Sequence, residues 1–228
     1  LSKQLVTKTG FPEEGVTVVN NTIDESAMRE ALASVSAADV KQKKIELGFE
    51  NSRVGLFIGS LHKTKNLHFL LSAARKIKEQ EANFKLLIIG DGPENELIRQ
   101  FSKSEPWIKW VGALRGRDKV LYSLTAEFLM NPGMVGLGIV DSFILGLPMV
   151  TTDIPSHSPE IAYLVPGVNG LITQPDETAY SNACLHLMRD HSALINFKME
   201  CLNSANKYSL INMVSSFSDG IERAINRV

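Results

Sequence analysis

The chain has 228 residues, 44 % of them hydrophobic and 21 % charged, and 24 basic against 25 acidic side chains leave a net charge of −1. This composition excludes a disordered chain and a basic nucleic-acid footprint, and it supports one large or two small domains whose core needs no disulfide or metal staple. No apolar run reaches membrane-spanning length and no signal peptide is visible, so the expectation is a soluble, cytoplasmic protein.

The chain opens on Leu1 rather than Met, and Leu1–Gly10 reads as the last turns of a helix closing on a C-cap glycine, as a cut through a longer polypeptide would leave it. Val16–Val19 is the first β-branched run and is predicted as a strand. A helix over Asp39–Leu47 ends at Gly48 and carries the basic run Lys41–Lys44, read as a solvated face. The strand Val54–Ile58 leads through the loop Gly59–Lys65 into a helix over Asn66–Glu79, with Leu67, Leu70, Leu71, Ala74 and Ile77 on one stripe. Leu86–Ile89 is the next strand; Gly90-Asp91-Gly92-Pro93 follows it and opens a helix over Pro93–Phe101. Then come the strand Ile108–Val111 with its loop Gly112-Ala113-Leu114, and the strand Glu127–Met130 with its loop Asn131–Gly138. A helix over Ile139–Leu145 ends at Gly146, and Pro148–Thr151 is the last predicted strand. From Glu177 to Val228 the pattern is nearly all helical, with breaks near Asp190 and Tyr208.

Several strands are continuous apolar runs, as strands buried on both faces are. Strand–helix alternation at this spacing predicts a doubly wound, parallel α/β sheet of the Rossmann-like kind, with a helix-rich C-terminus. Ligands of such sheets bind at the carboxyl ends of the strands, which directs attention to the strand-exit loops.

The strongest of these is Pro132–Gly138, which opens a helix where free N–H groups and the helix dipole attract phosphate. Asp141, one turn in, reads equally as a ribose ligand and as a first-turn acid complementing the dipole. Lys65 is placed to neutralise a diphosphate, although a solvated lysine is the simpler reading of that residue alone. Gly90-Asp91-Gly92 lacks the third glycine of a dinucleotide fingerprint, Asn95 standing in its place, and no phosphate-binding G-x-x-x-x-G-K-[ST] exists. Ser158, Pro159 and Glu160 read as a helix start, with His157 beside them able to face a ligand. Cys184, Cys201, His186 and His191 are not spaced as a metal set; the thiols read as buried and reduced.

In order, these segments resemble the C-terminal domain of the family 4 glycosyltransferases of GT-B fold, from about Glu14 to Asp176. Val18–Asp24 is similar to the family's "V-x-N-G-x-D", Phe57–Leu61 with Lys65-Asn66 to "F-x-G-R-L-x-x-x-K-G", and Gly90–Pro93 to "G-D-G-P". Val111-Gly112 is similar to "F-x-G", Pro132–Pro148 to "E-G-F-G-L-x-x-x-E-A-x-A-x-G-x-P", and Pro159–Ile161 with Gly167–Leu171 to "P-E-I-x-x-x-G-x-x-G-L-L". A branch of the family with "N-P-G-x-V-G-L-x-x-x-D-S-F" and "H-S-P-E-I" is matched by Asn131–Phe143 and His157–Ile161.

The resemblance implies retaining transfer from a nucleoside-diphosphate sugar, without metal or cofactor. It implies a donor site at Gly59, Ser60, Lys65, Gly90, Gly92, Leu114, Gly133, Met134, Val135, Gly136, Leu137 and Asp141, with Lys65 on the diphosphate and Asp141 on the ribose as the catalytic pair. Ser60 stands where the family has its phosphate-binding arginine, and Gly133 where it has the glutamate facing the transferred sugar. Base selection is implied near Gly112 and Leu114. The whole of 1–228 is expected to form a single nucleotide-sugar-binding domain without the acceptor-binding N-terminal domain of the same polypeptide, and so to bind donor weakly and turn nothing over. Peripheral association of the full-length enzyme with the inner membrane face, and no nucleic-acid partner, complete the expectation. Two other readings stand beside it: a sugar-nucleotide epimerase on the same architecture, and a non-catalytic degenerate transferase acting as a binding module.

Overall fold

The computed structural model describes residues 2–226; Leu1 and the last two residues of the predicted C-terminal helical stretch lie outside them. Six strands, β1 (Arg53–Ile58), β2 (Phe84–Ile89), β3 (Ile108–Trp110), β4 (Phe128–Met130), β5 (Met149–Thr152) and β6 (Gly170–Thr173), form one sheet in the order β3-β2-β1-β4-β5-β6. Every pairing is parallel. The helices are α1 (Ser2–Lys8), α2 (Ser26–Ala33), α3 (Ala37–Leu47), α4 (Leu67–Gln80), α5 (Asn95–Ser104), α6 (Gly116–Ser123), α7 (Gly138–Ile144), α8 (Glu177–Arg189), α9 (His191–Lys207) and α10 (Leu210–Ile225).

Period-two alternation along the strands builds two cores. Leu56, Leu87 and Leu129 point to the face that carries Ile139, Val140 and Phe143 of α7. Phe57, Leu86, Ile88, Phe128 and Val150 point to the face covered by Leu70, Leu71 and Ile77 of α4 and Tyr180 and Leu187 of α8. Cys184 and Cys201 fall in opposite cores, and burial raises both thiols, Cys201 to about 12. Helix α9 crosses from one core to the other: Phe197 packs in the α4 core and Cys201, one turn on, in the α7 core. Asp176, Asp190 and Ser209 cap α8, α9 and α10 by accepting from backbone N–H groups, which accounts for the breaks at Asp190 and Tyr208. Among the described residues no helix is long and apolar enough to cross a membrane.

The structure corrects several sequence expectations. Val16–Val19 is not a strand: it pairs with none of the six strands, and Val18 is exposed. Side-chain bonds anchor the segment instead: Asn21 Nδ2 donates to Glu160 Oε1 at 2.9 Å, and Tyr163 Oη to the Asn21 carbonyl at 2.9 Å. Strand β6 was missed because it opens on glycine and is only half-buried along most of its length. Helices α2 and α6 were missed because neither Glu25 nor Arg115 makes a side-chain cap that would announce them. Helix α5 begins at Asn95, two residues after Pro93.

Helix α10 has no buried residue, and Val214, Phe217, Ile221 and Ile225 are exposed, while Leu210 and Met213 are half-buried. It lies along the N-terminal segment, with Gly220 against Thr17, rather than on the sheet. Phe217→Glu combined with Ile225→Lys is therefore expected to shift the melting temperature by less than about 2 °C while reducing self-association, as seen by sedimentation across a concentration series. A loss of several degrees on melting would show that the stripe is packed within this chain.

Candidate functional site

The strand order places the switch point between β1 and β4, where crossovers leave in opposite directions and a crevice opens at the carboxyl ends. A cleft of about 440 Å³ lies there. Gly59, Ser60 and Lys65 line it after β1, Gly90 and Asp91 after β2, Ala113 and Leu114 after β3, and Asn131, Gly136, Gly138 and Asp141 after β4.

Backbone bonds stitch these loops together. Gly59 N–H donates to the Ile89 carbonyl at 3.0 Å, Leu61 N–H to Asp91 at 3.0 Å, and Gly90 N–H to Gly112 at 2.8 Å. Trp110 Nε1 donates to the Gly90 carbonyl at 2.9 Å. Gly90 has φ +156°, and a side chain there would strike the Gly59 carbonyl, so the β1 and β2 loops meet only because this residue has no Cβ.

The β4–α7 loop is clamped from two sides. On one, Met134 N–H donates to the Thr64 carbonyl at 2.8 Å, and Lys65 Nζ donates to the Met134 carbonyl at 2.5 Å. On the other, Thr152 Oγ1 donates to the Pro132 carbonyl at 2.5 Å and Ser158 N–H to the Val135 carbonyl at 2.9 Å. His157 belongs to this second clamp: its Nδ1 accepts from Val135 N–H at 3.0 Å, so its Nε2 carries the proton and donates to the Thr152 carbonyl at 2.7 Å. Both ring nitrogens are used inside the loop, which corrects the expectation that His157 could face a ligand. Ser158 starts only a short 3₁₀ turn, Pro159–Tyr163, without a side-chain cap.

The sequence-assigned residues divide accordingly. Gly59, Ser60, Lys65, Gly90, Leu114, Gly136 and Asp141 share the cleft wall. Gly92 packs against the Leu61 backbone, Gly133 against the Lys65 backbone, and Val135 is fully buried beneath the loop. The N–H groups of Met134 and Val135 are committed to Thr64 and His157, whereas those of Gly136, Leu137 and Gly138 have no acceptor among the described residues. Burial lowers the Lys65 ammonium below the ordinary lysine range, because its remaining partner, a carbonyl, does not replace the water removed. Sequence reasoning missed Lys119: it lines the cleft and pairs with Asp141 at 2.7 Å, yet it lies 22 residues away on a helix with no start signal.

Comparison with known proteins adds the following. A family model described as Glycosyl transferases group 1 matches residues 52–190. The chain is 27 % identical over 185 residues, 78 % of its length, to the N-acetyl-alpha-D-glucosaminyl L-malate synthase of Bacillus anthracis, and covers 46 % of that protein. It is 24 % identical over 125 residues, 52 % of its length, to the alpha-monoglucosyldiacylglycerol synthase of Acholeplasma laidlawii, and covers 31 % of it. The chain thus spans less than half the length of these curated relatives. The Anabaena protein Alr3699/HepE, solved in complex with UDP, superposes with a TM-score of 0.78 at 18 % identity, over 97 % of this chain and 61 % of that one.

Proposed function

We propose that this chain, which belongs to the glycosyl transferases group 1 family, is the donor-binding domain of a retaining glycosyltransferase that takes its sugar from a nucleoside diphosphate. The observation that carries the reading is the convergence of four strand-exit loops on one cleft at the sheet's switch point, with Lys65, Asp141 and three open backbone N–H groups in or beside its wall.

The diphosphate lies against the N–H groups of Gly136–Gly138 and the Lys65 ammonium, and the ribose on the Asp141 carboxylate. Charge that grows on the departing diphosphate meets donors already fixed by the two clamps, so little reorganisation accompanies bond cleavage. No histidine lines the cleft among the described residues, His157 has both nitrogens engaged, and the cleft's two carboxylates are held, Asp91 by Gly92 N–H and Asn95 and Asp141 by Lys119, which favours donor binding over the acid–base pair of an epimerase. The acceptor, and the closure that excludes water, are assigned to an N-terminal domain of the same polypeptide, and the exposed stripe of α10 to a surface that this domain covers. The binding-module reading draws on Ser60, which leaves Lys65 to meet the phosphates among the described residues of the cleft wall; product analysis with the full-length protein decides between it and transfer.

The direct test is calorimetric titration with UDP, GDP and ADP. One of them is expected to bind, and Asp141→Asn is expected to weaken both that nucleotide and its parent nucleoside, the nucleoside by about 5- to 20-fold because the change acts on ribose and the diphosphate by no more than that, because Lys119 loses its counter-charge beside the phosphates. A variant that weakens the diphosphate alone removes Asp141 from the ribose, and failure of all three diphosphates to bind removes the function.

A further inference from the structure

Asp141 does not stand alone in the cleft. Its Oδ2 accepts from Lys119 Nζ at 2.7 Å, and the two side chains are only 19 % and 24 % exposed. Lys119 comes from the first turn of α6, which follows the β3 loop, so it enters the cleft beside Ala113 and Leu114. Asp141 Oδ1 has no hydrogen-bond partner among the described residues. The cleft wall sets Asp91 and Asp141 against Lys65 and Lys119; without Lys119 its sum turns negative, which opposes a diphosphate.

We propose that Lys119 is a positioning residue for the nucleotide's ribose, pinning one oxygen of Asp141 so that the other is presented to the ribose hydroxyls. The inference rests on the donor-binding reading above. A carboxylate on a two-torsion stem samples several rotamers, and a charge-assisted bond in a partly shielded corner selects one of them before the nucleotide arrives. The same ammonium cancels the Asp141 charge next to the phosphates, so Asp141 holds ribose without repelling the diphosphate.

The experiment is a double-mutant cycle. Wild type, Lys119→Met, Lys119→Arg, Asp141→Asn and the double variant Lys119→Met with Asp141→Asn are titrated with the tightest-binding diphosphate of the three and with its nucleoside, Lys119→Gln taking the place of Lys119→Met if that variant does not fold. Lys119→Met is expected to weaken the nucleoside by about 5-fold and the diphosphate by at least as much. Lys119→Arg recovers most of the loss, and for the nucleoside Lys119→Met adds under about 2-fold once Asp141 is replaced by Asn. A merely structural role gives the same nucleoside loss in both backgrounds, and that result, or unchanged nucleoside affinity in Lys119→Met, overturns the proposal. If Asp141→Asn itself leaves nucleoside binding intact, the ribose assignment falls and this inference with it. If Asp141→Asn weakens binding and Lys119→Met does not, only the role of Lys119 falls.

Discussion

Replacing Lys65 by alanine is expected to weaken nucleoside-diphosphate binding by roughly 10- to 150-fold at low salt, the fold-change of about 1.5–3 kcal/mol for a hydrogen bond to a charged group. Lys119 is tied to Asp141 and Ser60 is neutral, so among the described residues of the cleft wall Lys65 is the cation left for the phosphates. Nucleoside affinity should change far less, which separates phosphate recognition from disturbance of the loop that Lys65 also holds through the Met134 carbonyl. The pH dependence has a definite sign. Burial lowers the ammonium of the free protein, and a bound diphosphate favours the charged form. Affinity is therefore full below the lowered lysine pKa and declines as pH rises through it, at less alkaline pH than an exposed lysine would give. Lys65→Arg, which stays charged, should flatten that decline. Unchanged diphosphate affinity in a folded Lys65→Ala protein would show that the phosphates lie elsewhere.

Gly133→Ala is expected to lower the melting temperature by roughly 6–12 °C, from a cost of about 3 kcal/mol at 2–4 °C per kcal/mol for a domain of this size. A Cβ at this position would sit 2.3 Å from the Lys65 carbonyl carbon, 2.4 Å from its Cα and 2.4 Å from the Thr64 oxygen. These are backbone atoms that cannot swing aside, and the Met134–Thr64 bond next to them holds the two loops at this separation. The backbone of Gly133 is not in the left-handed region, so the penalty is one of space alone. It follows that Gly133→Glu does not restore the carboxylate that the family resemblance places here; it pushes the loops apart. A calorimetric melt of Gly133→Ala within about 2 °C of wild type would show that the loops yield more easily than this packing implies.

The legible part of the sequence was the part written by burial. Runs such as Leu86–Ile89 are apolar on both sides because both faces of the sheet are covered, and that alone separates a buried parallel strand from an amphipathic one. The same signal misled at Val16–Val19, where the residues are β-branched but pair with no strand, and it was silent at Gly170–Thr173. In the site, glycines at strand ends marked the loops that meet, and Lys65 and Asp141, left open by position alone and assigned through the family resemblance, line the cleft those loops form. The reason for Gly133 was not legible, since the atoms that exclude a side chain there lie 68 positions earlier at Lys65. Lys119 was not legible for the same reason: its meaning is a partner on another helix. His157 had a suggestive identity but a mechanical role, fixed by Val135 and Thr152.

The path of α9 between the two cores bears on when the chain can fold during its synthesis. Phe197 and Cys201 close opposite sides of the sheet from a single helix, and Lys198 between them sits near Arg53 and Glu127 at the strand starts. Neither layer is complete until this helix has emerged. A ribosome-bound chain that ends before residue 191 thus holds all six strands yet leaves apolar surface open on both sides at once. Translational pausing ahead of α9 would prolong exposure of a nearly finished sheet, and the short turn at Asp190 marks the point from which the closing helix must be made in one piece.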